Sequence, residues 1–217
     1  MPYWFDIRSL ALVLIGSLAI TVLRCGWGEA RRAISSAWSL LHPAFDRVEA
    51  KAELAKQVRE IADDGFVRAE AHHIGDGEFD YLADLLISRR SIDALLEEHE
   101  RYKRDRAEAA TRAGRVFEAA AEAGPIMGLA GTLIALASQR GGDSADLVGA
   151  VGMAVLTTLY GLLIANIAYA PIAAAIARRN EREETDREAV LSWLAEGLKR
   201  IQPRFVDDRP LATKASA

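Results

Sequence analysis

From residue 147 to residue 177 the chain carries no Asp, Glu, Lys or Arg. At about 1.5 Å of rise per residue, a helix of that length exceeds the roughly 30 Å of hydrocarbon in a bilayer, so this run reads as a transmembrane span with length to spare. Averaged over the whole chain, 51% hydrophobic and 27% charged residues would pass for an ordinary soluble protein. The average hides a segregation. Two further apolar stretches, residues 9–23 and 123–137, alternate with segments dense in Arg, Glu and Asp, as expected of a chain built for two solvents.

The middle stretch follows a strongly helix-forming run at 101–122, so one continuous helix is expected to rise from water into the bilayer. The first is short, with about 15 uninterrupted residues, and spans only if it tilts or if Arg8 and Arg24 snorkel. Tyr3, Trp4, Phe5 and Trp27 would anchor its ends at the interfaces. Lys and Arg are abundant between the first and second spans and after the third (Arg178, Arg179, Arg182), whereas residues 139–146 hold only Arg140. The expected topology is therefore N-terminus outside and C-terminus in the cytoplasm. No cleaved signal is expected, because Met1 to Asp6 has no basic cluster.

The polar segments read as helices throughout. Residues 46–61 place Val48, Ala52, Leu54, Val58 and Ile61 near one face, between Pro43 and Gly65. Residues 78–87 form a second amphipathic segment through Phe79, Tyr81, Leu82, Leu85 and Leu86, and Ser91 is a cap for a helix starting at Ile92. The fold class is an all-α integral membrane protein with three transmembrane helices and a helical cytoplasmic domain. The expected divisions are an N-terminal span at 1–26, a cytoplasmic helical domain at 27–115, a two-helix hairpin at 116–178, and a C-terminal helix and tail at 179–217.

Several function classes are disfavoured. A net charge of −4 with both signs interspersed gives no basic footprint for nucleic acid. Cys25, alone, can form neither an internal disulfide nor a cysteine cage, and Val22, Leu23 and Arg24 before it do not resemble a lipoprotein signal. Adjacent His72 and His73 cannot reach one metal from a helix, and Glu97 to Glu100 read as a solvated helix face. Neither a phosphate-cradling loop nor a nucleophile triad is legible, so no catalysis and no cofactor are expected.

The second and third spans are not those of a passive anchor. Gly128, Gly131, Gly161, Thr132, Thr157 and Thr158 sit among Ala residues, a composition that lets helix backbones approach closely. Packing within one chain is the plainer reading for any single Gly; the set together suggests an oligomer around a polar pathway. Pro125 and Pro171 each free a carbonyl, and act either as fixed kinks or as hinges. An ion pathway needs a group that binds and releases the ion, yet neither span holds a carboxylate, and Glu118 and Glu122 fall at the boundary. If the chain conducts ions, a second polypeptide must bring the acid to Thr132 and Thr158.

The run Ala123-Gly-Pro-Ile-Met-Gly-Leu-Ala-Gly-Thr-Leu-Ile-Ala135, with Val151-Gly-Met-Ala-Val-Leu-Thr-Thr-Leu-Tyr-Gly-Leu-Leu-Ile-Ala-Asn-Ile-Ala-Tyr-Ala-Pro171, resembles the signature of the MotA/TolQ/ExbB proton-channel family. Its second half is most like MotA and PomA. The resemblance extends through Asp6-Ile-Arg-Ser-Leu-Ala-Leu-Val-Leu-Ile-Gly16 and Leu95-Leu-Glu-Glu-His-Glu-Arg101, and covers most of the chain from Asp6 to about Pro203. It implies a place in a bacterial inner membrane and a homopentamer around a dimeric partner of the MotB, TolR or ExbD kind, whose single span carries an ion-binding Asp. It further implies that Thr132, Thr158 and Thr157 border the path of H+ or Na+, that Pro125 and Pro171 gate it, and that ion flow turns one ring against the other. Two departures accompany it. Three spans with the N-terminus outside match ExbB and TolQ rather than four-span MotA. The flagellar pattern of a rotor-contacting Arg, Gly and Glu retains Gly65 and Glu70 but has Ala62 in place of the Arg, which points to a force receiver other than a flagellar rotor.

Overall fold

The computed structural model describes residues 7–43, 45–64, 76–89, 91–137 and 144–206. Among these it is helical apart from short connections: α1 Ile7–Cys25, α2 Trp27–Ser39, α3 Arg47–Asp64, α4 Gly77–Arg89, α5 Ile92–Ala137, α6 Ser144–Leu163, a π-helical turn Ile164–Tyr169, and α7 Ala170–Val206. Two of its helical stretches, Ile92–Ala137 and Val148–Arg200, are long and apolar enough to cross a membrane. A third crossing is met only if α1 and α2 are counted together across a 117° bend. With 19 residues, α1 extends about 28 Å on its own, close to the hydrocarbon thickness. The chain is an integral membrane protein.

Two compact units result, and each mixes distant parts of the sequence: Met1–Pro43 with Ala107–Asn180, and Ala44–Arg106 with Glu181–Ala217. The expected divisions at 26 and 115 differ from these. Gly26 does mark a break, with φ of 86°, a conformation that L side chains rarely adopt, so a glycine is what lets the backbone turn there. But α2 then folds back into the first unit instead of opening a separate domain. Its Ala30 and Ala33 are buried with Ala113, Val116 and Ile176. Arg179 holds the end of α2, donating to the carbonyls of Ser39 (2.7 Å), His42 (3.0 Å) and Pro43 (3.1 Å), which a helix C-terminus leaves without intrahelical donors.

The second unit is a helical bundle with one core. Phe79, Leu82 and Leu86 of α4 meet Leu54 of α3, Leu95 of α5, and Leu191, Leu194 and Leu198 of α7. Side chains start three of these helices. Asp46 Oδ1 accepts the Val48 amide at 2.8 Å, Asp76 Oδ1 accepts Glu78 (3.1 Å) and Phe79 (3.3 Å), and Ser91 Oγ accepts Ala94 at 3.3 Å, as its capping role requires. On α3 the buried face runs through Ala50 and Leu54 to Val58, spaced by four, while Val48 is 73% exposed. Val48 and Ala52 therefore lie off the core face that their hydropathy suggested, because two residues' separation turns the helix by more than half a revolution.

The solvated-face reading of Glu97 to Glu100 is corrected at His99, which is only 3% exposed. Its Nδ1 lies 2.8 Å from Glu78 Oε1, and Nε2 is 3.6 Å from Glu184 Oε1, short of a hydrogen bond. Glu78, itself buried, also accepts from Arg106 and, at 2.8 Å, from Arg187. Arg187 grips Asp76 through two bonds of 3.0 and 2.6 Å and lies over the Phe45 ring, 4.5 Å from its centroid. Burial by itself raises the Asp76 carboxyl, but the hydrogen bond and charge of Arg187, with the Phe79 and Glu78 amides, hold it below the usual carboxylate range.

Candidate functional site in the membrane hairpin

Where α5 and α6 pass each other, the contact is between backbones. A methyl group placed on Gly161 would lie 2.5 Å from the Gly124 carbonyl oxygen, and one on Gly124 would lie 2.7 Å from that of Gly161. No other L residue fits either position without separating the helices. Further along, Gly128 faces the backbone of Thr157 and Thr158, and Gly131 faces the Thr157 side chain, each so near that an added carbon would meet it at 3.0 Å. Four glycines thus let one long helix lie against the next, the arrangement by which membrane helices associate when the solvent offers no hydrophobic drive.

The three threonines divide into two environments. Thr157 is 2% exposed, and its hydroxyl donates to the Ala154 carbonyl at 2.9 Å, so within a single chain it is part of the helix contact. Thr158 and Thr132 are partly exposed. Their hydroxyls also donate within their own helices, to Ala154 O at 3.2 Å and Leu129 O at 2.7 Å. With the one proton of each hydroxyl committed, what Thr132 and Thr158 offer outward is an oxygen lone pair. Such a site accepts a hydrogen bond or helps to ligate a cation, and it supplies no negative charge of its own.

Pro125 lies inside the unbroken α5, next to Gly124. Pro171 follows the π-helical turn at once. There the Ala170 amide reaches back five residues to the Ala165 carbonyl, and the next amide in line is missing because residue 171 is proline. The sequence marks the missing donor; the widened register just before it was not legible. Glu70 lies outside the described residues.

Sequence reading also missed the polar residues of α1. Ser9, Ser17 and Thr21 are all buried. The Ser17 hydroxyl donates to Leu14 O at 3.0 Å and meets the Tyr169 hydroxyl at 3.2 Å, tying α1 to the π-helical turn. Their spacing of four, from Ser17 to Thr21, was the available signal. At the end of α1, Arg24 pairs with Glu122 of α5 at 2.9 Å.

With this geometry in view, similarity to known proteins is informative. Residues 82–189 match the MotA/TolQ/ExbB proton channel family. Among curated proteins, the chain is 28% identical to the chemotaxis protein PomA of Vibrio alginolyticus, across 93% of this chain and 81% of PomA. It is 27% identical to motility protein A of Cereibacter sphaeroides, across 94% of this chain and 82% of that protein. A chain of the flagellar MotAB stator complex from Bacillus subtilis shares the fold, with a TM-score of 0.81 at 15% identity, over 97% of this chain and 85% of that one. The chain belongs to the MotA/TolQ/ExbB proton channel family.

Proposed function

We propose that this protein is the ion-conducting, stator-type subunit of a membrane motor, using the flow of H+ or Na+ to perform mechanical work. The observation that carries the reading is the chemistry of the hairpin: α5 and α6 expose hydroxyl oxygens at Thr132 and Thr158 and hold no carboxylate between Ala123 and Ala137 or between Val148 and Ala177. A hopping ion needs alternating strong and weak binding, and lone pairs alone bind weakly. The missing charge comes from a single-span companion of the MotB kind bearing an intramembrane Asp, a dimer inside a pentamer of this chain. PomA-like similarity over nearly the whole length supports this assignment.

In this mechanism the companion's Asp binds and releases the proton or the sodium ion. As it approaches the hairpin, Thr158 and Thr132 complete the shell around it by accepting a hydrogen bond from the protonated acid or by ligating the sodium ion. Thr157 holds the two helices at the spacing that aligns those oxygens. Pro125 and Pro171, the latter with the π-helical turn ahead of it, let the helix ends move as the charge is gained and lost. The N-terminus faces outward and the C-terminus the cytoplasm, and the cytoplasmic side, with Glu70 as a force-transfer residue, delivers the force.

The test is to co-express the chain with its companion, reconstitute the complex in liposomes and follow ion uptake under an imposed membrane potential. Thr158→Val keeps the volume and removes the oxygen. Ion flux should fall at least tenfold while the complex still assembles; unchanged flux would exclude the hydroxyl from the path. Ala62, where flagellar members carry Arg, favours a second reading in which an envelope-spanning partner, as for TolQ and ExbB, receives the force. Restoration of swimming in a strain lacking its own stator subunit would decide for the flagellar rotor.

A further inference from the structure

We propose that the first unit carries a binding site for one anionic phospholipid, in the groove where α2 folds back beneath the end of α1. Leu18 and Val22 of α1, Trp27 and Ile34 of α2, and Phe117 of α5 line this groove, which encloses about 320 Å3, the scale of a small-molecule site. Besides Arg31 its lining carries the Trp27 indole and the hydroxyls of Thr21 and Tyr169, and both hydroxyls are already used, Thr21 donating to the Ser17 carbonyl at 2.7 Å and Tyr169 meeting the Ser17 hydroxyl at 3.2 Å. Arg31 is the one charged group on the groove.

The charges around it single out that arginine. Arg24 pairs with Glu122 at 2.9 Å and Arg32 with Glu29 at 2.8 Å, whereas no acid pairs with Arg31 among the described residues. Arg31 is exposed, at the mouth of an apolar channel, and its planar fork of donors suits a phosphate. The helix that bears it has the pattern of a membrane surface. Trp27, Ile34 and Trp38 are 74, 62 and 65% exposed and share the face of Arg31. The 117° turn at Gly26 sends α2 across the direction of α1 instead of along it. A chain that ends its span at Cys25 and then turns across it places this face at headgroup level.

The occupant follows from complementarity. An acyl chain fills the groove beside Leu18, Val22 and Phe117, and the phosphate of an anionic headgroup meets Arg31. A second copy of this chain, applied face to face, would set one unpaired Arg31 against another. A zwitterionic lipid would fill the groove but leave part of the cation's charge unanswered. The site is independent of ion conduction and of the companion subunit.

Trp27 reports on it directly. With Trp4, Trp38 and Trp193 replaced by Phe, the full-length protein keeps one tryptophan, at the groove. It is reconstituted in phosphatidylcholine vesicles containing increasing amounts of phosphatidylglycerol or phosphatidylcholine brominated on the acyl chains. Half-quenching should need roughly fivefold less brominated phosphatidylglycerol than brominated phosphatidylcholine, the advantage of one surface cation for an anionic lipid. Arg31→Gln should abolish the difference and Arg31→Lys should keep most of it. Equal quenching by both lipids in the parent would mean ordinary boundary lipid and would overturn the proposal. So would protection from both, which would place another protein segment in the groove, or a preference that survives Arg31→Gln.

Discussion

Between Gly124 and Gly161 two helices meet with nothing but backbone in the contact, whereas around Glu78 three helices meet through two arginines, two further acids and a histidine. The first contact lies in a span, the second in the helical bundle of α3, α4, α5 and α7. In hydrocarbon an ionic cluster costs much to form and apolar surface gains little from being covered, so close approach and dispersion must fasten the hairpin. In water the hydrophobic core of the bundle supplies the drive, and buried ions add selectivity, because each charge tolerates only an arrangement that satisfies it. The hairpin is thus sensitive to volume and the bundle to the loss of a partner.

The largest effect is expected from Glu78→Ala, which takes away the acid that His99, Arg106 and Arg187 share in a buried site, leaving His99 without its hydrogen-bond partner, Arg187 with Asp76 alone and Arg106 with Glu184 alone. Breaking such a cluster from one side costs about 3–5 kcal/mol. Denaturant unfolding of the purified full-length protein in detergent, with hydrogen exchange followed on α4, should show that loss concentrated in the bundle. A change below about 1 kcal/mol, the range of exposed pairs, would mean that water already solvates the cluster and that the contrast with the hairpin is overstated.

The same contrast explains what could be read in advance. The uncharged run at 147–177, the continuous α5 and the Ser91 cap follow from local chemistry, and local chemistry is visible in sequence. So is the absence of a carboxylate in the hairpin, which directs attention to Thr132 and Thr158. His99 was misplaced because Glu97, Glu98 and Glu100 around it are polar, while the acids that bury it, Glu78 and Glu184, come from other helices. Nothing near residue 99 encodes their approach. The packing of α2 into the first unit escaped for a similar reason. Gly26 announces a turn, but its direction depends on where Ala113 and Val116 of α5 stand. Pro171 announced a missing donor without saying whether the helix would kink or widen its register, and the buried Ser17–Tyr169 contact bears on that very turn.

A smaller and more pointed effect should come from Gly161→Ala. The new methyl group would lie 2.5 Å from the Gly124 carbonyl oxygen, a backbone atom with no rotamer to escape into. Overpacking of this kind costs about 1–3 kcal/mol. Gly197→Ala is the counterpart in the bundle. There the added carbon would stand 3.7 Å from Val58 Cγ1, an ordinary contact, and the gain in helix propensity should stabilise by up to about 1 kcal/mol. Thermal unfolding of both variants in detergent should therefore give shifts of opposite sign. Equal shifts would remove the distinction between a contact made of backbone and one made of side chains.

Acid gives the smallest effect and sharpens the comparison without altering a contact by mutation. Asp76 is held below the usual carboxylate range chiefly by Arg187 acting against burial, so ionised Asp76 favours the folded bundle. That contribution is fully present above the unfolded-state value, about 3.9, and is lost as pH falls through the lower folded-state value. Stability of the bundle should decline on acidification below about pH 4, and Asp76→Asn should flatten the decline while lowering stability at neutral pH. The glycine contacts of the hairpin contain no group that titrates, so hydrogen-exchange protection of α6 between Val148 and Leu163 should hold over the same interval. If α6 loses protection in step with α4, the two regions do not respond separately, and the stability of the span contact depends on the ion cluster as well as on its own packing.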